Sequence, residues 1–261
     1  MVLDTSWDEI IEKYRPLLLL KPDLILFYPD QGESTAKEQI LSDSKTFFVN
    51  AVAHELFTPI TAMLGLLEVA KEGEYVQESL LKIERHLKRM QKIIEQLVLL
   101  SKLEQSEYIP HYQRLSLNRL LRDVLVEYEE KMRQKNLRVD IRTNKFIQAD
   151  PEALKIVIRN LVSNAIKYSK DGGIVEILSQ RDFLIIQDHG VGIPQEDLKN
   201  ITARFYRAGN ARSYSGAGLG LAIVKHILRK LSISWAVHSI MGIGTKVFLK
   251  IHPDSPSATG E

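Results

Sequence analysis

The sequence predicts an α+β multidomain protein, in which an antiparallel helical hairpin forms a dimeric four-helix bundle and is followed by an α/β sandwich domain. Three observations predict this fold class. Apolar residues recur at steps of three and four between residues 49 and 101, as one face of a helix requires. An aperiodic stretch that contains a proline follows at residues 104–115. Beyond it, helical patterns alternate with short strand patterns, which is typical of helices packed on a sheet.

The composition of the 261 residues restricts the classes of function. A net charge of +2 gives no electrostatic drive towards nucleic acid or an anionic membrane. The chain has no cysteine, so disulfides, thiol nucleophiles and thiolate metal sites are excluded. The N-terminus lacks the basic and apolar regions of a signal peptide, and the apolar run at residues 17–20 is far shorter than the ~18 residues that cross a bilayer. We therefore expect a cytoplasmic chain without membrane contact.

The hairpin is expected over residues 34–106. Residues 1–33 precede it as a segment to which the sequence assigns no role, although PDLILFYPDQG has the pattern of a short strand closed by a turn. Thr35 and Glu38 have the spacing of a capping box, which starts the first helix, and Gly73 ends it. The apolar stripe of this helix consists of Val49, Val52, Leu56, Ile60, Met63, Leu67 and Ala70.

A second helix carries a stricter stripe, with charged residues between its members. The stripe consists of Leu80, Ile83, Leu87, Met90, Ile94, Leu97 and Ser101. Two long helices joined by a short link form an antiparallel hairpin. Because one hairpin has no second layer that could bury such a stripe, pairing with another copy into a four-helix bundle is favoured. An intramolecular coiled coil without a partner is the alternative.

The second half of the chain is interpreted as the sandwich domain, over residues 116–252. Residues 107–115 are the expected linker, and residues 253–261 are an expected disordered tail. Ser116 has the character of a cap for a helix that runs to residue 136. Further helices are expected at residues 150–169 and 219–231, and strands at residues 137–143, 173–179 and 182–188 and in a hairpin at 233–251. This order predicts a mixed sheet with helices on one face.

One helix of this domain presents a polar face beside its apolar stripe. Asn160, Asn164, Lys167 and Tyr168 lie at positions i, i+4, i+7 and i+8, so they share one side of the helix. Asparagine is unfavourable inside a helix, because its amide competes for backbone hydrogen bonds. Amide oxygens can ligate a hard cation, the ammonium can meet a phosphate and the ring can lie on a base. A solvated helix face is the alternative for these four residues alone.

Two glycine motifs favour a nucleotide site. DHGVGI follows an apolar strand and places Asp188 at the strand end. Its carboxylate can accept a hydrogen bond there from the exocyclic amine of adenine. GAGLGL opens a helix, whose N-terminal N–H groups favour phosphate, although this motif alone is weak evidence. The preceding RFYRAGNARSYS carries Arg204, Arg207 and Arg212. It is consistent with a mobile phosphate lid or with a merely exposed loop.

The motif HELFTP places a histidine in the first helix of the hairpin. His54 lies about 200° from both Val52 and Leu56 at ~100° per residue, so it points away from the apolar stripe. A neutral imidazole is a good nucleophile near neutral pH. The remaining histidines lack such a motif and are expected to be inert; they are His86, His111, His189, His226, His238 and His252.

The motifs NAVAHELFTP, NLVSNAIKYS, DHGVGI, RFYRA and GAGLGLAIVK resemble, in this order, the transmitter core of bacterial two-component sensor histidine kinases. The resemblance covers residues 38–250. The second half is similar to the Bergerat ATP-binding fold of gyrase-type ATPases and heat-shock chaperones. The family implies ATP and Mg²⁺ as cofactors, a homodimer, and a response regulator receiver domain as the partner. A membrane-bound member from which the sensor had been removed would show the same features.

The resemblance also implies roles for single residues. His54 would accept the phosphoryl group of ATP, Glu55 would act as its general base or orient it, and Thr58 would position a water for dephosphorylation of the partner. Asn164 would be the main Mg²⁺ ligand, with Asn160 assisting. The residues implied in nucleotide binding are Asn160, Asn164, Lys167, Tyr168, Asp188, Gly190, Gly192, Phe205, Arg207, Gly216, Gly218, Leu219 and Gly220.

Two positions bear on the type of reaction. Hydrolytic relatives carry, at the position of Asn160, a glutamate that activates water; an amide cannot take that proton, so transfer to His54 is favoured over hydrolysis. Phe57 stands where the family usually has a basic residue, which leaves catalytic strength, phosphatase activity and choice of partner open. A Bergerat-fold ATPase that is indifferent to His54 and a degenerate, non-enzymatic signalling scaffold are the alternative functions.

Overall fold

The predicted helical hairpin is present in the structure. The computed structural model describes residues 24–27, 38–73, 75–104, 108–211 and 213–251. The two helices of the hairpin are α1, Glu38–Lys71, and α2, Val76–Glu104. Gly73 follows α1 with a φ of +82°, a left-handed conformation that suits glycine and ends the helix as predicted. The predictions for Thr35, Arg212 and residues 253–261 lie outside the described residues.

The apolar stripe predicted on α2 is covered only in part by the rest of the described chain: Ile83, Met90 and Leu97 are half-buried. Leu80, Leu87 and Ile94 keep 51%, 53% and 48% of their surface exposed. Another set of apolar residues on α2 is buried in the core shared with the following domain: Ile93, Leu100 and Leu103. Helix α2 therefore has two apolar sides, and only one of them is largely buried within the described residues.

A short strand joins the hairpin to the second domain. Strand β2, Gln113–Ser116, pairs antiparallel with β4, Phe146–Ala149. It takes in the last residues of the stretch that the sequence suggested as a linker. The strand is four residues long and contains one apolar residue, Leu115, so no alternation is visible in the sequence.

The helical region after Ser116 consists of two helices instead of the one predicted. The Ser116 hydroxyl accepts a hydrogen bond from Arg119 N and caps α3, Leu117–Val126, as predicted. The chain then turns at residues 127–128 before α4, Glu129–Gln134. The turn brings Tyr128 into the core, where its hydroxyl donates to Arg159 O at 3.5 Å. The prediction of one continuous helix was wrong, because neither proline nor glycine marks the break.

A six-stranded mixed sheet with helices on one face forms the second domain, as predicted. Its strands are β1, Leu24–Phe27; β3, Arg138–Arg142; β5, Ile174–Gln180; β6, Phe183–Asp188; β7, Trp235–Ile240; and β8, Gly244–Lys250. They run in the order β1-β7-β8-β6-β5-β3, and only β3 and β5 are parallel. The remaining helices are α5, Pro151–Tyr168; α6, Gln195–Leu198; and α7, Gly220–Lys230. The helices α5 and α7 pack against each other on the sheet, and the largest fully buried side chains of this layer include Leu154, Ile158, Leu184, Ile223 and Ile227.

An N-terminal strand completes the edge of this sheet. Strand β1, Leu24–Phe27, pairs antiparallel with β7, so that Leu24 lies opposite His238 and Phe27 opposite Trp235. The sequence predicted a strand here but could not indicate its partner. The pairing covers the N–H and C=O groups that the edge strand β7 would otherwise present to solvent.

One helical segment of the described chain has the length and composition to cross a membrane. It is Phe48–Lys71 in α1, with 24 residues and a mean hydropathy of 1.3. The apolar residues of this segment are interrupted by polar ones, so the sequence shows no uninterrupted apolar run there. The same segment carries His54 and Glu55, and Glu55 forms an ion pair with Arg89 of α2.

Candidate active site

A cavity of about 1040 Å³ lies between the hairpin and the sheet domain. Its walls come from α2, α4 and α5 and from the loop that leads into α7. Most of the residues predicted for nucleotide binding line it: Asn160, Asn164, Lys167, Tyr168, Asp188, Gly192, Arg207, Gly216, Gly218, Leu219 and Gly220. Gly190 and Phe205 do not belong to the lining. The structure thus brings residues of four separate sequence motifs to one cavity.

Asp188 ends β6 at the wall of this cavity. Its Oδ1 accepts hydrogen bonds from Gly190 N at 2.9 Å and Thr245 N at 3.2 Å. Burial raises the pKa of the carboxyl to about 6, although the two N–H donors act in the opposite direction. Oδ2 accepts no hydrogen bond from the described residues. A carboxylate held by one oxygen can offer the other to an amino group such as that of adenine.

The glycines after Asp188 are required by close backbone packing. A Cβ atom on Gly190 would lie 2.1 Å from Tyr168 O, and one on Gly192 would lie 2.0 Å from Ile240 O. Gly192 also has a φ of +64°. Gly190 is not among the lining residues, and its lack of a side chain lets the chain after β6 pass close to the end of α5. Its implied role in shaping the nucleotide pocket stays a prediction.

The two asparagines on α5 present amide groups to the cavity. Asn160 Nδ2 donates to Ile156 O at 2.8 Å, which directs Oδ1 towards Gly220, 2.8 Å from the position of a Cβ atom there. Asn164 lies one turn further along the same wall. Among the described residues, no three His, Asp or Glu side chains form a metal cluster. The asparagine oxygens fit a Mg²⁺ ion that also binds phosphate oxygens, because Mg²⁺ prefers oxygen ligands and is commonly shared with substrate phosphates.

Lys167 and Tyr168 follow the asparagines at the end of α5. Lys167 Nζ donates to the Tyr168 hydroxyl at 2.7 Å and lies 4.3 Å from the centre of its ring. Burial, followed by the positive charges of Arg207, Lys92 and Lys131, lowers the pKa of Lys167 to about 8. An anion beside Lys167 would therefore relieve repulsion between cations as well as gain an ion pair.

The glycine motif before α7 has the backbone geometry of an anion-binding loop. Gly216 and Gly218 have φ values of +138° and +74°, which side chains rarely adopt. A Cβ atom on Gly218 would lie 2.7 Å from Phe205 C, and one on Gly216 would lie 3.0 Å from Lys167 Nζ. Helix α7 then begins at Gly220, so its N-terminal N–H groups face the same cavity as Asn160 and Lys167.

The loop that was interpreted as a lid is tied together by one arginine. Arg207 lines the cavity, and its guanidinium donates to Ala211 O at 2.9 Å and to Tyr214 O. The Tyr214 ring packs edge-on against Tyr168 with centres 5.1 Å apart. Arg207 therefore spans the loop and connects it to the polar wall of α5.

Phe205 lies at the contact with the hairpin, away from the cavity lining where the sequence placed it. Its ring packs against Phe48 of α1, with ring centres 5.8 Å apart. The neighbouring Arg204 pairs with Glu104 at the end of α2 and stacks over Phe48 at 5.0 Å. Phe205 thus makes a contact between the domains, and its implied part in nucleotide binding stays a prediction. A φ of +61° at Phe205 turns its side chain in that direction, which the sequence does not reveal.

His54 is exposed on α1, as its helical position predicted. The Thr58 hydroxyl donates to His54 O at 2.8 Å, so the two residues lie on one face of the helix. Glu55 faces α2, where its Oε2 accepts from Arg89 Nη2 at 3.0 Å, and only 17% of its side chain is exposed. Arg89 also lines the cavity. The cavity wall therefore reaches along α2 to the level of the histidine.

Comparison with known families assigns both halves of the chain. Residues 44–106 match the His Kinase A (phospho-acceptor) domain, and residues 149–255 match the family described as histidine kinase-, DNA gyrase B-, and HSP90-like ATPase. The chain belongs to the two-component sensor histidine kinases. Its second matched region is an ATP-binding domain of this family.

Sequence relatives of this histidine kinase extend over most of the chain. It is 32% identical over 218 residues to the phosphate regulon sensor protein PhoR of Pseudomonas aeruginosa, covering 78% of this chain and 49% of PhoR. It is 30% identical over 231 residues to the sensor protein kinase WalK of Staphylococcus aureus, covering 83% of this chain and 55% of WalK. The chain spans about half the length of the curated relatives it matches.

Solved structures of other histidine kinases have the same fold. Acinetobacter baumannii histidine kinase AdeS is 24% identical with a TM-score of 0.63, covering 77% of this chain and 98% of AdeS. Histidine kinase ThkA in complex with the response regulator protein TrrA is 23% identical with a TM-score of 0.63, covering 88% of this chain and 69% of ThkA. The predicted hairpin followed by an α/β ATP-binding domain is thereby confirmed, whereas the dimeric bundle stays a prediction.

Several residues of the site were missed by the sequence analysis of this histidine kinase. Thr245 supplies a backbone N–H to Asp188, and Asn210 Nδ2 donates to Gly192 O at 2.9 Å. Lys92 and Lys131 line the cavity from α2 and α4. In the sequence these lysines look like solvated helix positions. Only the contact between the two domains turns them towards the cavity.

Proposed function

We propose that this chain is a histidine kinase core that autophosphorylates His54 from ATP and passes the phosphoryl group to an aspartate of a response regulator. The hairpin, residues 34–106, would carry the phosphoacceptor, and residues 116–252 would bind ATP with Mg²⁺. One observation carries the proposal: a single cavity is lined by the α5 polar face, Asp188 and the glycine loop, and also by Arg89, which holds the residue next to His54.

In the proposed reaction, a ring nitrogen of His54 attacks the terminal phosphorus of ATP. The bond between that phosphorus and the bridging oxygen breaks, and ADP leaves with the electron pair. Bound Mg²⁺, held by Asn164 with help from Asn160, would neutralise phosphate charge during this transfer. Glu55 would orient the imidazole or take its N–H proton. Arg89 holds Oε2 of Glu55 in the structure, so the other carboxylate oxygen, Oε1, is the one that can turn to the imidazole without breaking this ion pair.

Nucleotide orientation follows from the chemistry of the cavity walls. The Oδ2 atom of Asp188 would accept a hydrogen bond from the amino group of adenine, and Tyr168 would lie against the base. The phosphates would lie near the N-terminus of α7, where the helix dipole and the ammonium of Lys167 both favour negative charge. The glycines that line this part of the cavity are Gly216, Gly218 and Gly220. Leu219 and Arg207 line the same wall and would close it.

A simple ATPase is disfavoured by the residues of the cavity. Asp188 is the one carboxylate among the described lining residues, and the proposal assigns it to adenine. Asn160 offers an amide where the hydrolytic relatives have a glutamate, and an amide cannot accept a proton from water at neutral pH. The terminal phosphate would then await a stronger nucleophile, which the exposed imidazole provides.

We further infer that the chain acts as a homodimer. The exposed apolar residues of α1 and α2 form the surface that a second hairpin would cover, in a four-helix bundle. They include Leu64, Leu67, Leu80, Leu87, Ile94 and Val98. A receiver domain would dock beside His54, where Phe57 is 65% exposed and Thr58 would position a water for dephosphorylation.

We place this chain in the cytoplasm, where ATP and a response regulator would be available, as a free kinase or as the soluble portion of a membrane-bound one. Segment Phe48–Lys71 is then a hairpin helix instead of a membrane span. The ion pair between Glu55 and Arg89 supports this interpretation, because it would place two charged groups inside the bilayer if α1 spanned it.

Labelling with γ-labelled ATP tests the proposal. The wild-type chain should acquire an acid-labile, base-stable phosphoryl group. His54→Gln should abolish labelling and keep nucleotide binding, and His86→Gln on α2 should label as the wild type does. Labelling that persists in His54→Gln would assign the phosphate to another residue. Steady phosphate release that is indifferent to His54 would favour the ATPase, and a chain that binds nucleotide but neither labels nor hydrolyses would be a signalling scaffold.

A further inference from the structure

Helix α2 brings a row of basic residues to the wall of the cavity. They occupy positions i, i+3, i+4 and i+7 of one helix face: Arg85, Lys88, Arg89 and Lys92. The first three have acceptors, namely Leu81 O at 3.3 Å, a Glu84 oxygen at 2.5 Å and a Glu55 oxygen at 3.0 Å. Lys92 has no carboxylate within 4.0 Å in the described part of the chain. It therefore adds a positive charge to the cavity without a direct ion pair, although the charges of Glu127 and Glu95 act on it from a distance.

Two further lysines add positive charge to the same cavity from the ATP-binding domain. Lys131 comes from α4 and Lys167 from α5, and both line the cavity with Lys92. Neither has a carboxylate partner within 4.0 Å among the described residues. The positive charges of Lys92 and Lys131 lower the pKa of Lys167, and the charge of Lys131 lowers that of Lys92. The three ammonium groups are thus close enough to repel one another.

The acidic residues nearest to Lys92 are engaged elsewhere. Glu127 lies 3.8 Å from Arg159, and Glu95 accepts from the Gln91 amide at 2.9 Å. Partial desolvation between α2 and the ATP-binding domain is the main reason for the lowered pKa of Lys92, although its side chain keeps contact with solvent. Lys92 and Lys131 are exposed and Lys167 is half-buried, so three cations from three helices border one cavity whose only carboxylate among the described lining residues is Asp188. An anion bound between them would reduce their mutual repulsion.

We propose that Lys92 and Lys131, together with Lys167, bind the terminal phosphates of the nucleotide, so that ATP is held by the hairpin and by the ATP-binding domain at once. The inference rests on the proposed function in that it takes a nucleoside triphosphate as the occupant of the cavity. ADP lacks the phosphate that reaches the hairpin. Transfer of the terminal phosphoryl group would therefore release the ATP-binding domain from α2.

Nucleotide binding tests this inference separately from phosphoryl transfer. The His54→Gln chain is the background, so that ATP is not consumed, and Kd values for ATP and ADP are measured by displacement of a fluorescent nucleotide. Lys92→Gln and Lys131→Gln should each weaken ATP binding about fivefold, as expected for a solvent-accessible ion pair, and change ADP binding less than twofold. Lys92→Arg should keep ATP binding. Lys82→Gln, which lies on α2 outside the cavity lining and pairs with Glu78 at 2.6 Å, is the matched control.

The outcomes separate this inference from the proposed function. An unchanged ratio of ATP to ADP affinity in both glutamine variants overturns the inference, even when the wild type labels His54 normally. An equal loss of ATP and ADP affinity overturns it as well, because the lysines would then act on the fold or on the base site. Lys92 and Lys131 lie on different helices, so a folding defect in one glutamine variant leaves the other variant to decide the result. A wild-type chain that binds no nucleotide overturns both proposals.

Discussion

The hairpin and the ATP-binding domain use the same helical periodicity and bury it to very different degrees. In the ATP-binding domain, Leu154 and Ile158 of α5 are 0% exposed, because the sheet supplies a second layer. In the hairpin, Leu87 and Ile94 of α2 are 53% and 48% exposed. A two-helix hairpin has no layer of its own for both apolar sides of a helix. The difference shows that, within the described residues, the hairpin leaves an apolar surface uncovered, whereas the ATP-binding domain buries its own core.

The candidate site residues of the two regions differ in a related way. The ATP-binding domain holds Asp188 and Lys167 in surroundings that shift their pKa values to about 6 and about 8. On the hairpin, His54 is exposed and its neighbour Glu55 is held by Arg89. A preformed pocket suits a ligand that must be bound in one orientation. An exposed nucleophile suits a group that must meet ATP and then a second protein.

The largest expected effect is a loss of dimerisation through the proposed dimer surface of the hairpin. Replacing Leu87 and Ile94 together by glutamate should weaken dimerisation at least a hundredfold, since each buried aliphatic side chain contributes ~1.5–3 kcal/mol and each carboxylate would lose its hydration. Sedimentation at several concentrations measures the change, and a nucleotide titration should show an intact ATP-binding domain.

Val126→Glu provides the control for this experiment. Val126 is 64% exposed on α3 of the ATP-binding domain, so the same substitution there should leave the oligomeric state unchanged. A double variant that sediments as the wild type does would show that the exposed stripe of α2 is not the dimer surface, and the contrast between the two regions would lose its explanation.

The second expected effect concerns the stability of the ATP-binding domain. Asp188→Asn should raise the free energy of unfolding by ~2–3 kcal/mol at pH 7.5, because burial raises the pKa of the carboxyl from 3.8 to about 6 and disfavours its charged form. The contribution of Asp188 to stability is full below pH 3.8 and is lost as the pH rises to about 6. Urea unfolding at pH 4 and pH 7.5 should therefore show a gain only at the higher pH.

The same variant should lose affinity for adenine nucleotides at least tenfold, because an amide N–H₂ would face the adenine amine. Asp182→Asn, in the exposed turn before β6, should change neither stability nor binding. A gain of equal size at both pH values would mean that charge burial at Asp188 is not the cause, and an unchanged affinity would remove Asp188 from the nucleotide site.

The smallest expected effect lies at the boundary between the two regions. Strand β1 precedes the hairpin in sequence but pairs with β7 of the ATP-binding domain. In an antiparallel edge strand, every second backbone N–H donates to the neighbouring strand. Replacing both Ile25 and Leu26 by proline therefore removes the one N–H of the two that donates to β7. Hydrogen exchange of Trp235–Ile240 should become a few times faster, with nucleotide affinity unchanged.

Valine at both positions is the matched control, since it preserves the donors and the preference for a strand. Exchange in Trp235–Ile240 that does not respond to the prolines would show that β7 is protected without β1. Strand β1 would then make no contribution to the stability of the ATP-binding domain.

Local chemistry allowed much of this architecture to be predicted. Ser116 and Gly73 were recognisable as a helix start and a helix end, and the apolar spacing of residues 150–169 marked α5. The break at Tyr128 was not predictable, because it serves a hydrogen bond to Arg159, a residue far away in sequence. The candidate site is similar in this respect. Its motifs can be recognised in the sequence, but their assembly around one cavity depends on contacts between segments that are distant in the chain.

The sequence by itself determined the periodic helices, the outward position of His54 and the types of residue that can hold adenine, phosphate and Mg²⁺, because these depend on neighbours within a few residues along the chain. Only the tertiary structure decided that β1 joins β7, that Phe205 packs on the hairpin, and that Lys92 faces the ATP-binding domain. Those contacts join segments that are far apart in sequence, and their partners are selected by the packing of whole layers instead of by any local pattern.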